Sequence, residues 1–351
     1  MEALDEIGFW LERGRSSSYR VEAFRKAARE LQGRSAASVR ELAERGRLRD
    51  LPGIGERTAT VVAQALAGDV PDYLADLRAK GEGPLVEGGE AVREAVRGDL
   101  HVHSDWSDGG SPIDVMARTA RWLGHEYIAL TDHSPRLTIA NGLSAHRLAE
   151  QLDVVAAVDA DLDDFRLLAG IEVDILEDGT LDQTPAMLDR LDVVVASVHS
   201  KLRSDRRTMT RRMLRAVEDP HTNVLGHCTG RLVTGSRGKR PPSEFDAQAV
   251  FTACAEHDVA VEVNARPERA DPPDDLLRLA VDLGCLLSID SDAHAPGQLD
   301  FLDHGCARVA GIDVPLDRVV TTWPVDRLLA WTHAGADTGG HEQETTDRPA
   351  V

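Results

Sequence analysis

From Asp99 onward, short aliphatic runs alternate with amphipathic stretches for about 230 residues, and this alternation limits the fold more than any other feature of the chain. The runs are Tyr127 to Thr131, Arg166 to Val173, Val193 to Val198, Thr222 to Leu225, Val259 to Val263 and Leu286 to Ile289. Between and beyond them the spacing predicts helices at 112–124, 144–160, 244–257, 274–283 and 314–333. Strands separated by whole helices cannot pair as hairpins; each return requires a crossover, so the strands must be parallel. An α/β sheet or barrel follows. Such folds carry their sites at the C-terminal ends of the strands.

The first 80 residues lack strand runs and predict an all-α unit with helices at 3–13, 20–32, 36–46, 56–67 and 71–79. Gly81, Gly83, Pro84, Gly88 and Gly89 mark residues 81–98 as a linker, with room for one short helix at 90–97. Charge changes at the same place: residues 1–80 carry net +1 and the remainder -21. The expected organisation is therefore 1–80 helical, 81–98 linker, 99–334 barrel, and a polar, disordered tail at 335–351. A net charge of -20 argues against a generic nucleic-acid coat protein. No apolar run approaches the roughly 20 residues of a membrane span, and the acidic start does not read as a secretory signal. Cys228, Cys254, Cys285 and Cys306 form no CxxC pair and are expected to be reduced thiols in a cytoplasmic protein.

Six of the thirteen histidines stand just after the aliphatic runs, beside acids or glycines. In chain order the motifs are Asp99-Leu100-His101-Val102-His103 with Ser107-Asp108-Gly109, Thr131-Asp132-His133, Gly170-Ile171-Glu172-Val173, Ser197-Val198-His199, Leu225-Gly226-His227, and Asp290-Ser291-Asp292-Ala293-His294. Residues i and i+2 of a strand face the same way, so His101 and His103 can converge on one ion. Imidazoles with carboxylates suit zinc, manganese or iron.

This series, HxHxxxSDG, TDH, GIE, SVH, GH and SDAH, resembles the PHP (polymerase and histidinol phosphatase) superfamily, and most of all the PHP domain at the C-terminus of bacterial family X DNA polymerases. The resemblance runs through residues 99–333 and includes Gly226-His227-Cys228-Thr229-Gly230-Arg231-Leu232 and Glu262-Val263-Asn264-Ala265. It implies a distorted (β/α)7 barrel and three divalent metal ions. His101, His103, Glu172 and Asp292 would hold one. Glu172 would bridge to a second held by His199 and His227, and Asp108, His133 and His294 would hold the third. Cys228, where the family often has proline, is expected beside the ligands and not among them. Clustered cations lower the pKa of bound water towards about 7 and clamp phosphoryl oxygens during in-line displacement. Glu172 and Asp292 would take part directly in that chemistry. Asp99, Asp132 and Asp290 either orient imidazoles or serve as structural caps.

Basic residues concentrate in two stretches. Lys201, Arg203, Arg206, Arg207, Arg211, Arg212 and Arg215 follow His199, and Arg231, Arg237, Lys239 and Arg240 follow His227. Both stretches are expected to rim the site, with Arg231 the candidate for bidentate phosphate contact; the alternative for 205–215 is a solvated helix face. In the N-terminal unit, Leu51-Pro52-Gly53-Ile54-Gly55 followed by Thr58, Ala59, Val61 and Val62 looks like a helix–hairpin–helix. With Ser18 to Ala28 it is similar to the N-terminal domain of the same polymerases. Gly53, Gly55 and Arg57 would contact a DNA phosphate without reading sequence; a helical lid or interface module is the structural alternative. Residues 80–99 leave no room for a polymerase palm, so nucleotide addition is not expected.

Three functions are compatible with these residues. The first is a metal-dependent phosphoesterase acting on DNA ends, by 3'-5' exonuclease or 3'-end processing. The second is a small-molecule phosphomonoesterase of histidinol-phosphatase type. The third is a non-catalytic DNA-binding protein. The expected partners are a phosphorylated substrate and DNA, and no membrane; oligomeric state is not legible.

Overall fold

The computed structural model describes residues 1–235, 238–312 and 314–338, and it divides into two compact units. Arg237 and, of the tail expected at 335–351, residues 339–351 lie outside the described residues, whereas residues 335–338 continue the last helix and correct that expectation.

The first unit comprises Met1–Leu85 together with Ala295–Asp300. Its helices are α1 (Glu2–Arg13), α2 (Ser18–Gln32), α3 (Ala36–Glu44), α4 (Glu56–Ala67) and α5 (Asp72–Gly81). Leu4, Ile7 and Leu11 on α1 meet Phe24, Ala27 and Leu31 on α2, with Ile54, Val61, Val62 and Leu74 closing the core. These positions recur every three or four residues, so each helix has one apolar face to bury. A buried ion pair crosses the core: Arg25 Nε and Nη2 donate to the two oxygens of Glu12 at 3.0 and 2.9 Å. Gly53 turns the hairpin at φ +78°, where a Cβ would also press on the Lys26 stem at 2.9 Å.

The second unit, Val86–His294 with the chain from Phe301, is the barrel. It holds α6 (Glu90–Ala95), β1 (Gly98–Val102), α7 (Ile113–Trp122), β2 (Tyr127–Leu130), α8 (Ala145–Ala160), β3 (Arg166–Asp174), α9 (Pro185–Leu188), β4 (Val193–Ser197), α10 (Arg206–Val217), β5 (Val224–Leu225), α11 (Ala247–Glu256), β6 (Ala260–Asn264), α12 (Asp274–Asp282), β7 (Leu287–Asp290), α13 (Leu302–Ala310) and α14 (Val325–Thr338). Seven parallel strands run in sequence order, and among the described residues one bridge, Val102 to Ala293, links the first edge to the last. The nearly closed α/β barrel expected from the sequence is therefore present.

Period two along the strands separates two layers of the interior. Tyr127, Ala129, Leu168, Val193, Val195, Val224 and Ala260 form a dry lower layer, capped from beneath by Val320, Trp323 and Leu328. The same faces carry polar groups higher up: Thr131 and His133 just past the end of β2, Glu172 on β3, Ser197 at the end of β4 with His199 just beyond, Glu262 and Asn264 on β6, Ser288 and Asp290 on β7. Apolar packing below thus fixes polar groups at the mouth. A separate aliphatic core, including Ile171, Val194, Ala196, Val261 and Ile289, seals the helices against the outside.

Three further expectations about elements need correction. The helix predicted at 314–333 is two short 3₁₀ turns followed by α14, because Pro324 supplies no N–H and holds Trp323 extended at ψ 148°. Helix α13 was not foreseen; Gly305 interrupts its apolar pattern, yet a Cβ there would meet Ile289 at 2.6 Å, so its smallness serves packing. The strand predicted at 222–225 is only Val224–Leu225, because Thr222 bonds back to α10 and Asn223 to β4.

Candidate metal centre

All nine side chains singled out in the sequence converge at the C-terminal mouth of the barrel. Glu172 is their centre. Its carboxylate lies 3.2 Å from His101 Nε2, 3.6 Å from His103 Nε2, 2.8 Å from His133 Nδ1, 3.1 Å from His199 Nε2 and 2.8 Å from His227 Nε2. Asp292 Oδ1 is 3.5 Å from His103 Nε2, and Asp108 Oδ1 is 3.4 Å from His133 Nε2 and 3.3 Å from His294 Nε2. Asp292 adopts φ +52°, a left-handed backbone that a non-glycine residue seldom takes.

Donor spacing and chemistry both suit divalent ions. Ligands held about 2.1 Å from a tetrahedral ion stand about 3.4 Å from one another. Most of the separations above fall close to that value. Several facing atoms, His101 Nε2, His103 Nε2, His199 Nε2 and Glu172 Oε2 among them, are buried without a hydrogen bond among the described residues, a state that is unfavourable unless a cation completes it. Four overlapping groups can each share one ion: His101, His103 and Asp292; His101, Glu172 and His227; His133, Glu172 and His199; and His103, Asp108, His133 and His294. His101, His103, His133 and Glu172 each enter two groups, so the four groups overlap where the resemblance implies a three-way partition bridged by Glu172 alone.

Charge is balanced locally. Burial alone would push the Glu172 carboxyl up, but His199, His101 and His133 outweigh it and hold it well below the usual range. Burial would likewise lower His133, yet Glu172 and Asp108 lift it to about 10. Burial together with the neighbouring His294 and His133 keeps His103 well below its ordinary value. For Asp292, burial is overcome by Arg269, His103 and His101, and the group stays ionised.

The residues around the nine are not quite those expected. Asp99 accepts from the His101 and Ser291 amides, Asp290 from the Leu100 amide, and Asp132 from Ser104, Ser107 and Gln151. Asp290 ties β7 to β1, Asp99 ties β1 to the loop after β7, and Asp132 ties the loop after β1 to α8; none of these bonds is to an imidazole, so capping describes them. One imidazole is oriented instead by Glu262, 2.6 Å from His101 Nδ1, while Asp174 holds the backbone of His199 by accepting from its amide at 3.1 Å. Glu262 also accepts from the His227 amide and from Asn264. Its signal in the sequence was a lone charge inside a buried strand, Ala260-Val261-Glu262-Val263-Asn264.

Arg231 donates its guanidinium to the Arg269 and Ala270 carbonyls, and its amide lies 3.3 Å from Asp271. It braces a loop and does not point at the nine. The arginines that reach them are Arg269, 2.9 Å from Asp292 Oδ2, and Arg266, 3.2 Å from the Asp292 carbonyl and 3.0 Å from His294 Nδ1. Nothing in their spacing announced this; it depends on the path of the loop after β6. Cys228 is buried, 3.8 Å from Asp271, and belongs to none of the four groups. All four cysteines are free thiols. Arg212 is buried and donates to the Ile175, Leu176 and Ser200 carbonyls.

In the first unit, Gly53, Gly55 and Arg57 share the exposed side of the hairpin. The Gly55 amide donates to Thr58 Oγ1 at 2.8 Å, and Arg57 lies 5.0 Å over the Tyr73 ring. No helix among the described residues is long and apolar enough to cross a membrane.

Comparison with known proteins agrees with this architecture. Residues 99–266 match the PHP domain model and residues 1–69 match a helix-hairpin-helix domain model. The chain therefore carries a PHP domain preceded by a helix-hairpin-helix domain. Among curated relatives it is 39% identical to the "DNA polymerase/3'-5' exonuclease PolX" of Bacillus subtilis over 210 residues, which is 60% of this chain and 36% of that protein. The chain thus spans about a third of that relative. It is 26% identical over 241 residues to the "Probable phosphatase YcdX" of Escherichia coli K12, covering 66% of this chain and 91% of the relative. Among solved structures, the histidinol phosphate phosphatase of Lactococcus lactis, complexed with zinc, L-histidinol and phosphate, superposes with a TM-score of 0.45 at 19% identity, over 62% of this chain and 94% of that one.

Proposed function

We propose that the chain is a metal-dependent phosphoesterase that hydrolyses phosphoester bonds at DNA ends, as a 3'-5' exonuclease or a 3'-end-processing enzyme. The observation that carries this reading is the buried Glu172 carboxylate ringed by five imidazoles within 3.6 Å, with two arginines behind Asp292. Three divalent ions, zinc, manganese or iron, would be held by His101, His103, Glu172 and Asp292; by Glu172, His199 and His227; and by Asp108, His133 and His294. When bound, such ions supply a water-derived nucleophile near neutral pH and neutralise charge on the phosphoryl oxygens.

The chain's own residues set the approach. His101, His103, Glu172 and Asp292 are sealed at the back of the pocket, whereas Asp108, His294 and His199 are partly exposed. A phosphate would therefore enter past Asp108 and His294. Arg266 and Arg269 keep Asp292 ionised and bring positive charge to an otherwise acidic mouth. Glu262 fixes the plane of His101, and Asp174 holds the backbone of His199. The helix-hairpin-helix unit, with Gly53, Gly55 and Arg57 on its exposed turn, would grip the DNA backbone. Arg231 acts only through its loop.

The test is direct. Purified protein with manganese should release nucleotides or 3' groups from end-labelled single-stranded and nicked DNA, and Asp292→Asn should abolish this. Untouched DNA would refute the reading. A second reading, a small-molecule phosphomonoesterase, draws on the near-full-length match to the probable phosphatases. Phosphate release from histidinol phosphate or sugar phosphates, with DNA inert, would favour it.

A further inference from the structure

Helix α10 carries an arrangement that folding alone disfavours. Arg207, Arg211 and Arg215 stand at i, i+4 and i+8 on its exposed side, with Arg206 beside them and Lys201 and Arg203 in the preceding loop. Like charges one turn apart repel, and cations at a helix N-terminus oppose the dipole. The first turn holds no acid, only the Asp205 cap, which accepts from the Thr208 amide at 3.0 Å. Asp246 answers Arg206 at 3.0 Å and Asp178 answers Arg215 at 3.9 Å. The guanidinium groups of Arg203, Arg207 and Arg211 have no hydrogen bond or ion pair among the described residues. Beyond residue 80 the chain has net charge -21, so an exposed row of arginines is not a sampling of a basic surface. Arg212, one residue on, shows the contrast: it is buried and bonded to carbonyls.

Position gives the row its meaning. β4 ends at Ser197, His199 joins the metal centre, and α10 begins at Arg206. In a parallel barrel the helix after a strand starts at the mouth and runs back along the outside. The arginines therefore lead away from the centre, about 6 Å per step. Arg206, Arg207, Arg211 and Arg215 line one shallow groove whose wall also carries Glu218 and Asp246, and Arg203 stands in the loop before it. A small phosphate ester in the mouth could not reach Arg211 or Arg215. An extended polyanion could, because its phosphates repeat along the groove.

We propose that α10 is a track for the sugar-phosphate backbone of the single DNA strand whose 3' end occupies the metal centre, with Arg203, Arg207 and Arg211 as its phosphate contacts. This rests on the DNA-end reading above and assigns the feature that separates polynucleotide from small ester.

The decisive measurement is the salt dependence of binding. Fluorescence anisotropy of a labelled single-stranded oligonucleotide, in EDTA so that no cleavage occurs, gives log Kd against log salt for wild type and for R207A/R211A. Each lost phosphate contact lowers the slope by about 0.7, so the double variant should lose about 1.4. The ratio of wild-type to variant affinity should then be about sevenfold larger at 50 mM than at 200 mM salt. R207K/R211K should retain the wild-type slope. Hydrolysis of a small nitrophenyl phosphodiester with manganese should change less than about twofold in both variants, which also reports an intact fold. An unchanged slope in R207A/R211A overturns the track, as does wild type that fails to bind the oligonucleotide. A lowered slope that lysine does not restore overturns it too, because phosphate contact requires only the charge. Wild type that binds with the expected slope but never cleaves DNA leaves the track standing and refutes the DNA-end reading instead.

Discussion

Glu262→Gln should separate the barrel's support of the metal centre from the centre itself. Glu262 is fully buried and serves three donors: His101 Nδ1 at 2.6 Å on one oxygen, the His227 amide and Asn264 Nδ2 on the other. With His101 Nε2 turned to Glu172, Nδ1 is left to carry the proton that meets Glu262. Glutamine has the same shape but one oxygen and one NH₂. Whichever way it lies, its NH₂ faces a donor. At least one buried donor is orphaned, which costs about 1–3 kcal/mol. His101 is then less firmly held, and loss of such a supporting carboxylate weakens metal binding about 10- to 100-fold, or about 1.4–2.7 kcal/mol. Urea unfolding of the metal-free protein reads the first effect. Competition against a chelator reads the second. Glu262→Gln that melts like wild type and holds metal with unchanged affinity would show that His101 is positioned by something else.

Glu172→Gln should leave far-UV circular dichroism unchanged and lower the metal content measured by mass spectrometry, since Glu172 enters two of the four ligand groups; full occupancy in that variant would exclude it as a ligand. Arg269→Ala should reduce kcat/KM by about 10²-fold through loss of charge at the reacting site, whereas Arg231→Ala should lower stability and leave kcat within about threefold; the reverse pattern would restore Arg231 as a phosphate contact. Burial holds His125, with Arg93 beside it, at about 3, against an ordinary value of 6.5. The folded imidazole stays neutral while the unfolded one takes a proton. Its contribution is thus intact above pH 6.5 and lost as pH falls towards 3, at up to about 1.4 kcal/mol per unit. His125→Gln should flatten that part of the stability curve, and a curve as steep as wild type would contradict it. Arg25→Ala strands the buried Glu12 carboxylate and should destabilise the helical unit by about 3–5 kcal/mol, read by chemical unfolding.

The alternation of strands and helices was legible because burial on both faces of a parallel strand demands unbroken aliphatic runs, and crossover helices demand their own period. The metal-competent residues were legible for a related reason. Histidine and carboxylate are unfavourable at the buried end of a strand unless they meet a partner, so their recurrence after run upon run had few meanings. Tertiary structure alone decided who supports them. Asp99, Asp132 and Asp290 neighbour ligands in sequence, but their carboxylates turn to backbone amides. Glu262 belongs to no histidine motif, yet β6 sets it against His101. Arg231 and Arg269 are equally basic in sequence, and only the loop after β6 brings one to Asp292 while pinning the other to carbonyls. A strand fixes direction by its period, so residues on strands can be read from order alone. A loop has no period, and where its side chains end up is settled by the carbonyls, amides and charges it meets on the way.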